Sequence, residues 1–431
     1  MKYILQWLFC LLPFALFAQK HKSSNTTKTN ITQQDTGVQF IHHLTWSDIQ
    51  RKAKAENKYI FMDCYTTWCG PCKFMSKTIF PQKEVGDEMN DKFIAVKMQL
   101  DTSDKDNDEV KSMYATAHAM ARNYSVNVYP TFLFFNPNGE LVHRAVGSSE
   151  ADAFIAKTKE ALAPETQYYT LLKKYKKGQK DSAFLHRLTL ASMNAYDMEN
   201  GSKIANDYFA TQPDLYTSAN LSLLRDMTQN SADKGFRILL DNPAKVDSIL
   251  GKGTAAAVTQ NIILQEDIYP KLFLKKVASP QELAEPAWDS LATNLQSKYP
   301  AQAASLQAYS KAIFYMQKQE WEKFGPAVVD YMKSYGDGAT DAQLNEFAWT
   351  VFQNCSDGTC LQNALDWSKR SFEKEQNPAF MDTYANILYR LGKKDEALTW
   401  EQKALELVPD AEKQGYQQTM EKMKAGEKTW N

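Results

Sequence analysis

The segment TTWCGPCKFM, residues 66–75, constrains the fold more than any other part of the sequence, because two cysteines flank a Gly-Pro pair. The apolar and aromatic run YIFMDCY precedes it and has the length of a β-strand. The residues that follow, PCKFMSKTIF, have a helical pattern. The two cysteines are therefore predicted to lie where a strand ends and a helix begins.

Neither a metal site nor a purely structural bridge explains this pair well. A structural zinc site needs four Cys or His ligands, commonly two CxxC-like pairs, and the sequence has one such pair. Cys355 and Cys360 are far away and spaced differently. A bridge across so small a loop removes little chain entropy from the unfolded state. No metal and no cofactor are predicted, and the pair is interpreted as redox-active.

Position in the helix gives the two sulfurs different roles. Cys69 would lie at the helix N-terminus, where unpaired backbone N–H groups and the helix dipole favour an anion. Such surroundings lower a thiol pKa from about 8.5 towards neutrality and populate the attacking thiolate. Cys72, one turn inside the helix, would be shielded and would resolve the mixed disulfide.

The pattern of residues 39–163 is that of a compact α/β domain. Helical and strand-like segments alternate, and PTFLFFNPNGELVHRAVG predicts two strands joined by a hairpin turn at NPNG. The chain is too long for one core, so further domains are expected after this one.

Beyond residue 163 the spacing of Ala, Leu and aromatic residues is helical, and strand-like alternation is scarce. Residues 381–410 resemble one tetratricopeptide repeat, with Ala385, Gly392, Ala397, Ala404 and Pro409 at its characteristic positions. A looser repeat, with a longer turn between its helices, is predicted before it. We expect an α-helical region at 164–335 and TPR-like repeats at 336–431, with a plain helical bundle as the alternative.

The N-terminus predicts export. Residues 1–18 have a lysine, an apolar run and a small residue before a polar stretch, as in a secretory signal peptide. Residues 19–38 are rich in Ser, Thr, Asn and Gln and predict a flexible linker. The mature protein is expected to be soluble in the periplasm or secreted, and a retained N-terminal anchor is the alternative.

Charge argues against nucleic acid as a partner. The chain has 50 Lys and Arg against 51 Asp and Glu, a formal net charge of −1. No global field would attract a polyanion, so partner choice must depend on local surfaces.

The sequence FMDCYTTWCGPC resembles thioredoxin, and the resemblance covers residues 39–163. It implies an α/β thioredoxin-like fold and catalytic roles for Cys69 and Cys72. It also implies that Asp63 is a buried acid that moves the proton of Cys72, with Lys97 nearby. A buried carboxyl has a raised pKa, which suits this role. An exposed or capping Asp63 and a solvated Lys97 are the alternatives.

The resemblance also implies a substrate-binding surface. Pro130 matches a proline whose cis peptide bond faces the cysteines, with an ordinary trans proline as the alternative. Tyr129 and Thr131 would offer backbone groups to an extended substrate segment. Gly147 matches a small residue on this surface. Trp68 would shield its edge, or simply pack there.

Two departures from minimal thioredoxin are visible. About fourteen extra residues between Asp101 and Tyr124 predict an added or extended helix. The domain looks more like exported thioredoxin-like domains, including the C-terminal domain of the transmembrane electron transporter family. Cys64 is interpreted as a small buried residue. Cys355 and Cys360 are expected either to form a bridge or to remain thiols.

These observations predict a thiol-disulfide oxidoreductase that reduces disulfides in client proteins. In an oxidising compartment this activity implies a membrane-embedded electron donor. A disulfide oxidase or isomerase is one alternative. The other is a TPR-type adaptor in which the thioredoxin fold is a docking module and the helical region binds a peptide or protein.

Overall fold

The structure is a computed structural model that describes residues 36–273, 277–355, 357–409 and 412–430. The signal peptide predicted at 1–18 lies outside the described residues, as does the predicted linker up to residue 35. Within the described ranges, no helix combines the length and the apolar character that crossing a bilayer requires.

The first part of the described chain forms a four-stranded β-sheet. Its strands are β1 (Tyr59–Tyr65), β2 (Phe93–Gln99), β3 (Thr131–Phe135) and β4 (Leu141–Val146). Their order across the sheet is β2-β1-β3-β4, so β1 is an inner strand. β1 pairs in parallel with β2, which requires the chain to cross over between them through helices.

Five helices accompany this sheet. They are α1 (Trp46–Glu56), α2 (Gly70–Phe74), α3 (Lys83–Met89), α4 (Asp108–Asn123) and α5 (Ala151–Leu162). A π-helical turn, Met75–Ile79, directly continues α2. Helix α4 lies within the segment where extra residues predicted an added or extended helix. That it is added or extended relative to thioredoxin stays a prediction.

Local sequence explains where these elements begin and turn. Thr45 caps α1: its hydroxyl accepts from the Asp48 N–H, and the Asp48 carboxylate accepts from the Thr45 N–H. Between β3 and β4 the chain turns at NPNG, where Asn136 N donates to the Glu140 carbonyl at 2.9 Å. Gly139 has a φ of +80°, which glycine adopts without steric cost. The predicted hairpin is confirmed.

Aromatic rings fill the interior beside β1. Phe61, Phe80 and Phe154 are mutually in contact, with ring centroids 5.5 to 6.1 Å apart. Phe61 and Phe154 are fully buried, and Phe80 is nearly so. Edge-to-face ring pairs of this kind add to the free energy gained from burial alone. This packing fixes β1, which leads into the cysteine motif.

After Val146 the described residues contain helices and no strand. The helices after α5 are α6 (Tyr168–Lys176), α7 (Ser182–Asn194), α8 (Met198–Ala210), α9 (Ser218–Met227), α10 (Lys234–Asp241), α11 (Pro243–Leu250), α12 (Thr254–Ile263), α13 (Tyr269–Leu272), α14 (Trp288–Lys298), α15 (Ala303–Lys318), α16 (Trp321–Tyr335), α17 (Asp341–Asn354), α18 (Gly358–Arg370), α19 (Pro378–Arg390), α20 (Lys394–Leu407) and α21 (Lys413–Ala425). The predicted order, an α/β domain followed by an all-α region, is confirmed.

Helices α19 and α20 form the helix pair that resembles a tetratricopeptide repeat. Ala385, Ala397 and Ala404 are fully buried, and Gly392 turns the chain with a φ of +79°. The connection from α17 to α18 is as short as that from α19 to α20, so the longer turn predicted there is wrong. The TPR-like character of this region stays a prediction.

The chain divides into two compact units. One contains the described residues up to Thr131, with 135–140 and 147–158. The other contains 132–134, 141–146 and the residues from Lys159 onward. The domain boundaries expected from the sequence, at 163 and 335, stay predictions.

Candidate functional site

The candidate site is built around a disulfide between Cys69 and Cys72. Their Cα atoms are 5.3 Å apart. Cys69 is the N-cap residue of α2, and its sulfur accepts a hydrogen bond from the Cys72 backbone N–H at 3.1 Å. A donor aimed at this sulfur stabilises a negative charge on it once the bridge is opened.

The two cysteines are equally shielded from solvent. Cys69 and Cys72 are each 3% exposed in the bridged form. The expectation that Cys72 is the more shielded residue therefore receives no support from exposure. The assignment of Cys69 as the attacking residue depends instead on its N-cap position and on the N–H that it accepts.

Asp63 lies six residues before Cys69, near the end of β1, and is 1% exposed. Burial raises the pKa of its carboxyl, and the nearby Lys97 opposes this shift. Lys97 Nζ donates to Asp63 Oδ2 at 3.1 Å, since the two residues are register partners on β1 and β2. Asp63 Oδ1 has no hydrogen-bond partner among the described residues.

Ser76 also belongs to this site, although the sequence did not predict it. Its hydroxyl accepts a hydrogen bond from Lys97, the lysine that contacts Asp63. Lys97 Nζ donates to Ser76 Oγ at 2.7 Å, and Ser76 lies in the π-helical turn after α2. The rings of Phe40, Tyr65 and Phe80 lie 4.8 to 5.2 Å from the same Nζ. A serine four residues after a CxxC motif carries no recognisable signal in the sequence.

The loop before β3 lies against the cysteine motif. The Trp68 ring meets the Tyr129 ring edge-to-face, with centroids 5.8 Å apart, and Trp68 is 68% exposed. The Tyr129–Pro130 peptide bond is cis, as the resemblance implies. Gly147 N donates to the Pro130 carbonyl at 2.9 Å, and Gly147 has a φ of +82°. These contacts bring Trp68, Tyr129, Pro130 and Gly147 together.

The Thr131 side chain is not accessible at the protein surface. It is fully buried, and its hydroxyl donates to the Val128 carbonyl at 2.8 Å. Any contribution of Thr131 to substrate binding must come from its backbone, and that role stays a prediction.

Asp101 is a second residue that the sequence reasoning did not place at the site. Its carboxylate accepts from the Thr67 N–H at 2.9 Å and from the Thr67 hydroxyl. Asp101 follows β2, and Thr67 immediately precedes Trp68. These two hydrogen bonds hold the start of the cysteine motif against the end of β2.

Cys64 is fully buried, which confirms its interpretation as a buried residue. Among the residues that the structure describes, no group of three or more His, Cys, Asp or Glu side chains is placed to hold a metal ion. The arrangement as a whole places two sulfurs near a buried acid and beside the loop that contains Tyr129 and the cis Pro130.

Comparisons with known proteins agree with this reading of the N-terminal part. Residues 47–162 match the family model described as a thioredoxin-like domain. Chloroplastic thioredoxin Y from Oryza sativa subsp. japonica is 30% identical over 118 residues, which are 27% of this chain and 60% of that protein. The thiol:disulfide interchange protein DsbD of Pseudoalteromonas atlantica is 33% identical over 112 residues, 26% of this chain and 17% of that protein.

Among solved structures, the oxidised C-terminal domain of Neisseria meningitidis DsbD aligns with 19% identity and a TM-score of 0.21. The alignment covers 27% of this chain and 90% of that one. The chain thus spans less than two thirds of the curated relatives named above. The family match confirms that the N-terminal part is a thioredoxin-like α/β domain, and it ends before the helical region.

Proposed function

We propose that the chain is an exported thiol-disulfide oxidoreductase that reduces disulfides of client proteins through Cys69 and Cys72. The observation that carries the proposal is the Cys72 N–H that donates to the Cys69 sulfur at the start of α2. A thiolate on Cys69 keeps this donor when the bridge is open, and thiolates are the nucleophiles in disulfide exchange.

The proposed reaction has two exchange steps. In the first, the Cys69 thiolate attacks one sulfur of a client disulfide, forms a mixed disulfide and releases the other client sulfur as a thiolate. In the second, the Cys72 thiolate attacks Cys69, which restores the Cys69–Cys72 bridge and releases the second client sulfur. The client gains two electrons and two protons, and the cysteine pair loses them.

Asp63 is proposed to take the proton of Cys72 for the second step. Its burial raises its pKa, so that the carboxylate is a stronger base than an exposed aspartate. The contact with Lys97 opposes this shift, because a neighbouring cation favours the carboxylate.

A client segment is proposed to bind in an extended conformation beside Tyr129 and Pro130, with Trp68 and Gly147 at the edges. Backbone hydrogen bonds would hold segments of many sequences in this way. The TPR-like helical region is proposed to bind a peptide or protein partner, since stacked helix pairs form extended binding surfaces.

Export and a supply of electrons are part of the same proposal. The lysine, the apolar run and the small residue of positions 1–18 fit a signal peptide, which supports export. Reduction outside the cytoplasm needs a supply of electrons, and a membrane electron donor is proposed for it. One relative is named a thiol:disulfide interchange protein, which agrees with a role in passing electrons between cysteine pairs.

Insulin reduction by dithiothreitol tests the catalytic proposal. We expect Cys69→Ser to lower the rate to that of the buffer control. Cys72→Ser that has been reduced and then freed of dithiothreitol should accumulate a covalent adduct with the substrate, because the resolving sulfur is absent. Cys64→Ala, a change at a buried cysteine of β1, is the control and should keep the rate. Full activity in Cys69→Ser would refute the proposal.

A glutathione redox series tests the direction. We expect a Cys69–Cys72 potential near the about −270 mV of thioredoxin. A potential near the about −120 mV of strong periplasmic oxidants would show an oxidase instead.

A further inference from the structure

Ser76 lies beside the cysteine motif, in the π-helical turn that continues α2. The Phe80 N–H donates to the Met75 carbonyl at 2.8 Å, five residues earlier, whereas an α-helix spaces such partners by four. Ser76 follows Cys72 by four residues, so the two lie on the same side of the helix. The wider turn therefore begins soon after Cys72 and contains a hydroxyl that reaches β2.

The Ser76 hydroxyl and the Asp63 carboxylate both accept from the Lys97 ammonium. Lys97 Nζ lies 2.7 Å from Ser76 Oγ and 3.1 Å from Asp63 Oδ2. The shorter of the two contacts is therefore the one with the neutral group. Ser76 is half-buried, and the Lys97 side chain is 28% exposed. The ammonium is thus partly removed from water, where each protein acceptor matters more.

Aromatic rings surround the same ammonium group. The ring centroids of Phe40, Tyr65 and Phe80 lie 4.8 to 5.2 Å from Nζ. A ring face attracts a cation, but it does not replace an oxygen acceptor. Among the described residues, the two groups that accept a hydrogen bond from this Nζ are Ser76 and Asp63. The position of the ammonium therefore depends on these two oxygens.

The two acceptors respond differently to a proton. A protonated Asp63 has lost its negative charge and is a weaker acceptor, whereas the Ser76 hydroxyl accepts in both states of the acid. Ser76 therefore keeps Lys97 paired while the acid is protonated. Removing the hydroxyl costs the protonated state more than the ionised state, in which Asp63 itself holds the lysine. The serine thus favours the protonated form of the acid.

The titratable groups on the same strand and in the cysteine motif leave this balance undisturbed. Tyr65 interacts electrostatically with Asp63, and its pKa is raised to about 12, mainly by burial, so that it stays neutral around pH 7. Cys69 and Cys72 are bridged in the oxidised chain and do not titrate. Lys97 is the cation that lowers the pKa of Asp63 against the effect of burial.

The neighbouring elements add no further buried charge. Strand β3, which pairs with β1 on the side opposite β2, contains no titratable side chain. Lys73 of α2 and Lys77 of the π-helical turn are exposed, so that water and salt screen their charges. The protonation of Asp63 is therefore governed by its burial, by Lys97 and by what holds Lys97.

We propose that Ser76 is a positioning residue: by holding the Lys97 ammonium in both protonation states of Asp63, it sets the pH at which this acid releases its proton. The effect on Asp63 rests on the contacts alone. The consequence for catalysis rests on the proposed function, in which a proton passes from the Cys72 sulfur to the Asp63 carboxylate and no electrons move in that step. With Ser76 present, Asp63 is a stronger base for this transfer.

The titration of Asp63 in the oxidised full-length chain tests the positioning role without any catalysis. With aspartate isotope-labelled at the carboxyl carbon, the Asp63 signal in nuclear magnetic resonance is identified by its absence from Asp63→Asn. We expect Ser76→Ala to lower the pH midpoint of this signal by about 0.5 to 1 pH unit, the size expected from one lost hydrogen bond. Ser76→Thr retains a hydroxyl and should keep the wild-type midpoint.

Two further variants separate this role from a purely structural one. Thr78→Ala removes a hydroxyl from an exposed position of the same π-helical turn and should leave the Asp63 midpoint unchanged. In the background of Lys97→Met, Ser76→Ala should not move the midpoint, because the lysine that connects the two groups is absent. An unchanged or higher midpoint in Ser76→Ala, or the same fall in the chain without Lys97, would overturn the proposal.

Insulin reduction across a pH series tests the consequence for catalysis. The part of the rate that depends on Asp63 is the difference between a chain and the same chain carrying Asp63→Asn. We expect this part to rise at a lower pH in Ser76→Ala than in the wild type, again by about 0.5 to 1 pH unit. A shifted Asp63 signal with an unshifted rate profile would contradict the catalytic consequence. Absent insulin reduction by the wild-type chain would refute the proposed function instead, and the titration of Asp63 would still decide the positioning role.

Discussion

At the scale of single residues, the site depends on a buried acid whose charge is only partly compensated. Asp63 is almost fully buried, and one cation, Lys97, reaches it with a contact of 3.1 Å. Lys97 also donates to Ser76, so its contact with the acid is shared. Burial raises the pKa of Asp63 more than this shared lysine lowers it. The residue is therefore suited to exchange a proton rather than to hold a permanent charge.

We expect Asp63→Asn to slow disulfide reduction by at least about tenfold above neutral pH, because an amide cannot accept the Cys72 proton. The rate of the wild-type chain should rise with pH as Asp63 and the two thiols ionise, and the part of the rise that comes from Asp63 should be absent from the variant. Initial rates of insulin reduction across a pH series measure both effects. Asp87→Asn, at an exposed position of α3, is the matched control and should follow the wild-type profile. An unchanged profile in Asp63→Asn would remove Asp63 from the mechanism.

The same substitution has a predictable effect on stability. A carboxyl whose pKa is higher in the folded than in the unfolded chain destabilises the fold progressively as pH rises from the unfolded towards the folded pKa. The variant Asp63→Asn would escape this loss, because an amide does not ionise. Urea unfolding should show a gain for the variant at about pH 8 that is absent at low pH.

At the scale of secondary-structure elements, the α19–α20 pair contains a second unusual acid. Glu401 of α20 is fully buried, and Asp382 of α19 is its neighbour. Burial and the neighbouring Asp382 raise the pKa of Glu401 to about 9. Burial raises the pKa of Asp382 to about 6. The two carboxyls can share one proton. Ionising both is unfavourable, because two negative charges would then lie side by side in a buried place.

This arrangement predicts that the helix pair weakens as pH rises. Stability is fully present below the unfolded pKa of Glu401, 4.5, and is lost as pH rises towards about 9. We expect Glu401→Gln to raise the free energy of unfolding by roughly 1–3 kcal/mol at about pH 8, with little gain near pH 4. Urea unfolding followed by circular dichroism measures the difference.

Glu406→Gln is the matched control for this prediction, since it removes the same charge from an exposed position of α20. It should leave the free energy of unfolding within about 0.5 kcal/mol of the wild type at both pH values. Equal gains in Glu401→Gln and Glu406→Gln would mean that net charge, rather than the buried pair, determines the effect.

At the scale of the whole molecule, charge is nearly balanced. The sequence has 50 basic and 51 acidic side chains. Nucleic-acid binding depends on phosphate contacts by clustered Lys and Arg, and it weakens steeply with salt. We expect no change in the fluorescence anisotropy of a labelled DNA duplex at about 50 mM or about 150 mM salt. An anisotropy rise that falls with added salt would contradict this expectation.

The sequence predicted the parts of the molecule that local patterns determine. The run YIFMDCY became β1 because its apolar residues suit a buried strand, and NPNG became a turn because Asn and Gly tolerate its geometry. Helix α1 begins at its capping box. Cys69 became an N-cap because Gly70 and Pro71 start a helix immediately after it.

Sequence reasoning missed the contacts between distant positions. Ser76 reaches Lys97 across 21 positions, and Thr67 reaches Asp101 across 34. Neither pair has a spacing that a local pattern could reveal. The parallel register of β1 and β2 brings Thr67 to Asp101, and the packing of the π-helical turn beside β2 brings Ser76 to Lys97.

Periodicity and turn residues act over a few positions of the chain. They were therefore enough to predict that the two cysteines lie where a strand ends and a helix begins, and that the fold changes from α/β to all-α. Tertiary structure alone decided how much each ionisable group is exposed to water and which partner it meets. Burial and proximity set the pKa of Asp63 and of Glu401, and both quantities arise only when distant segments pack together.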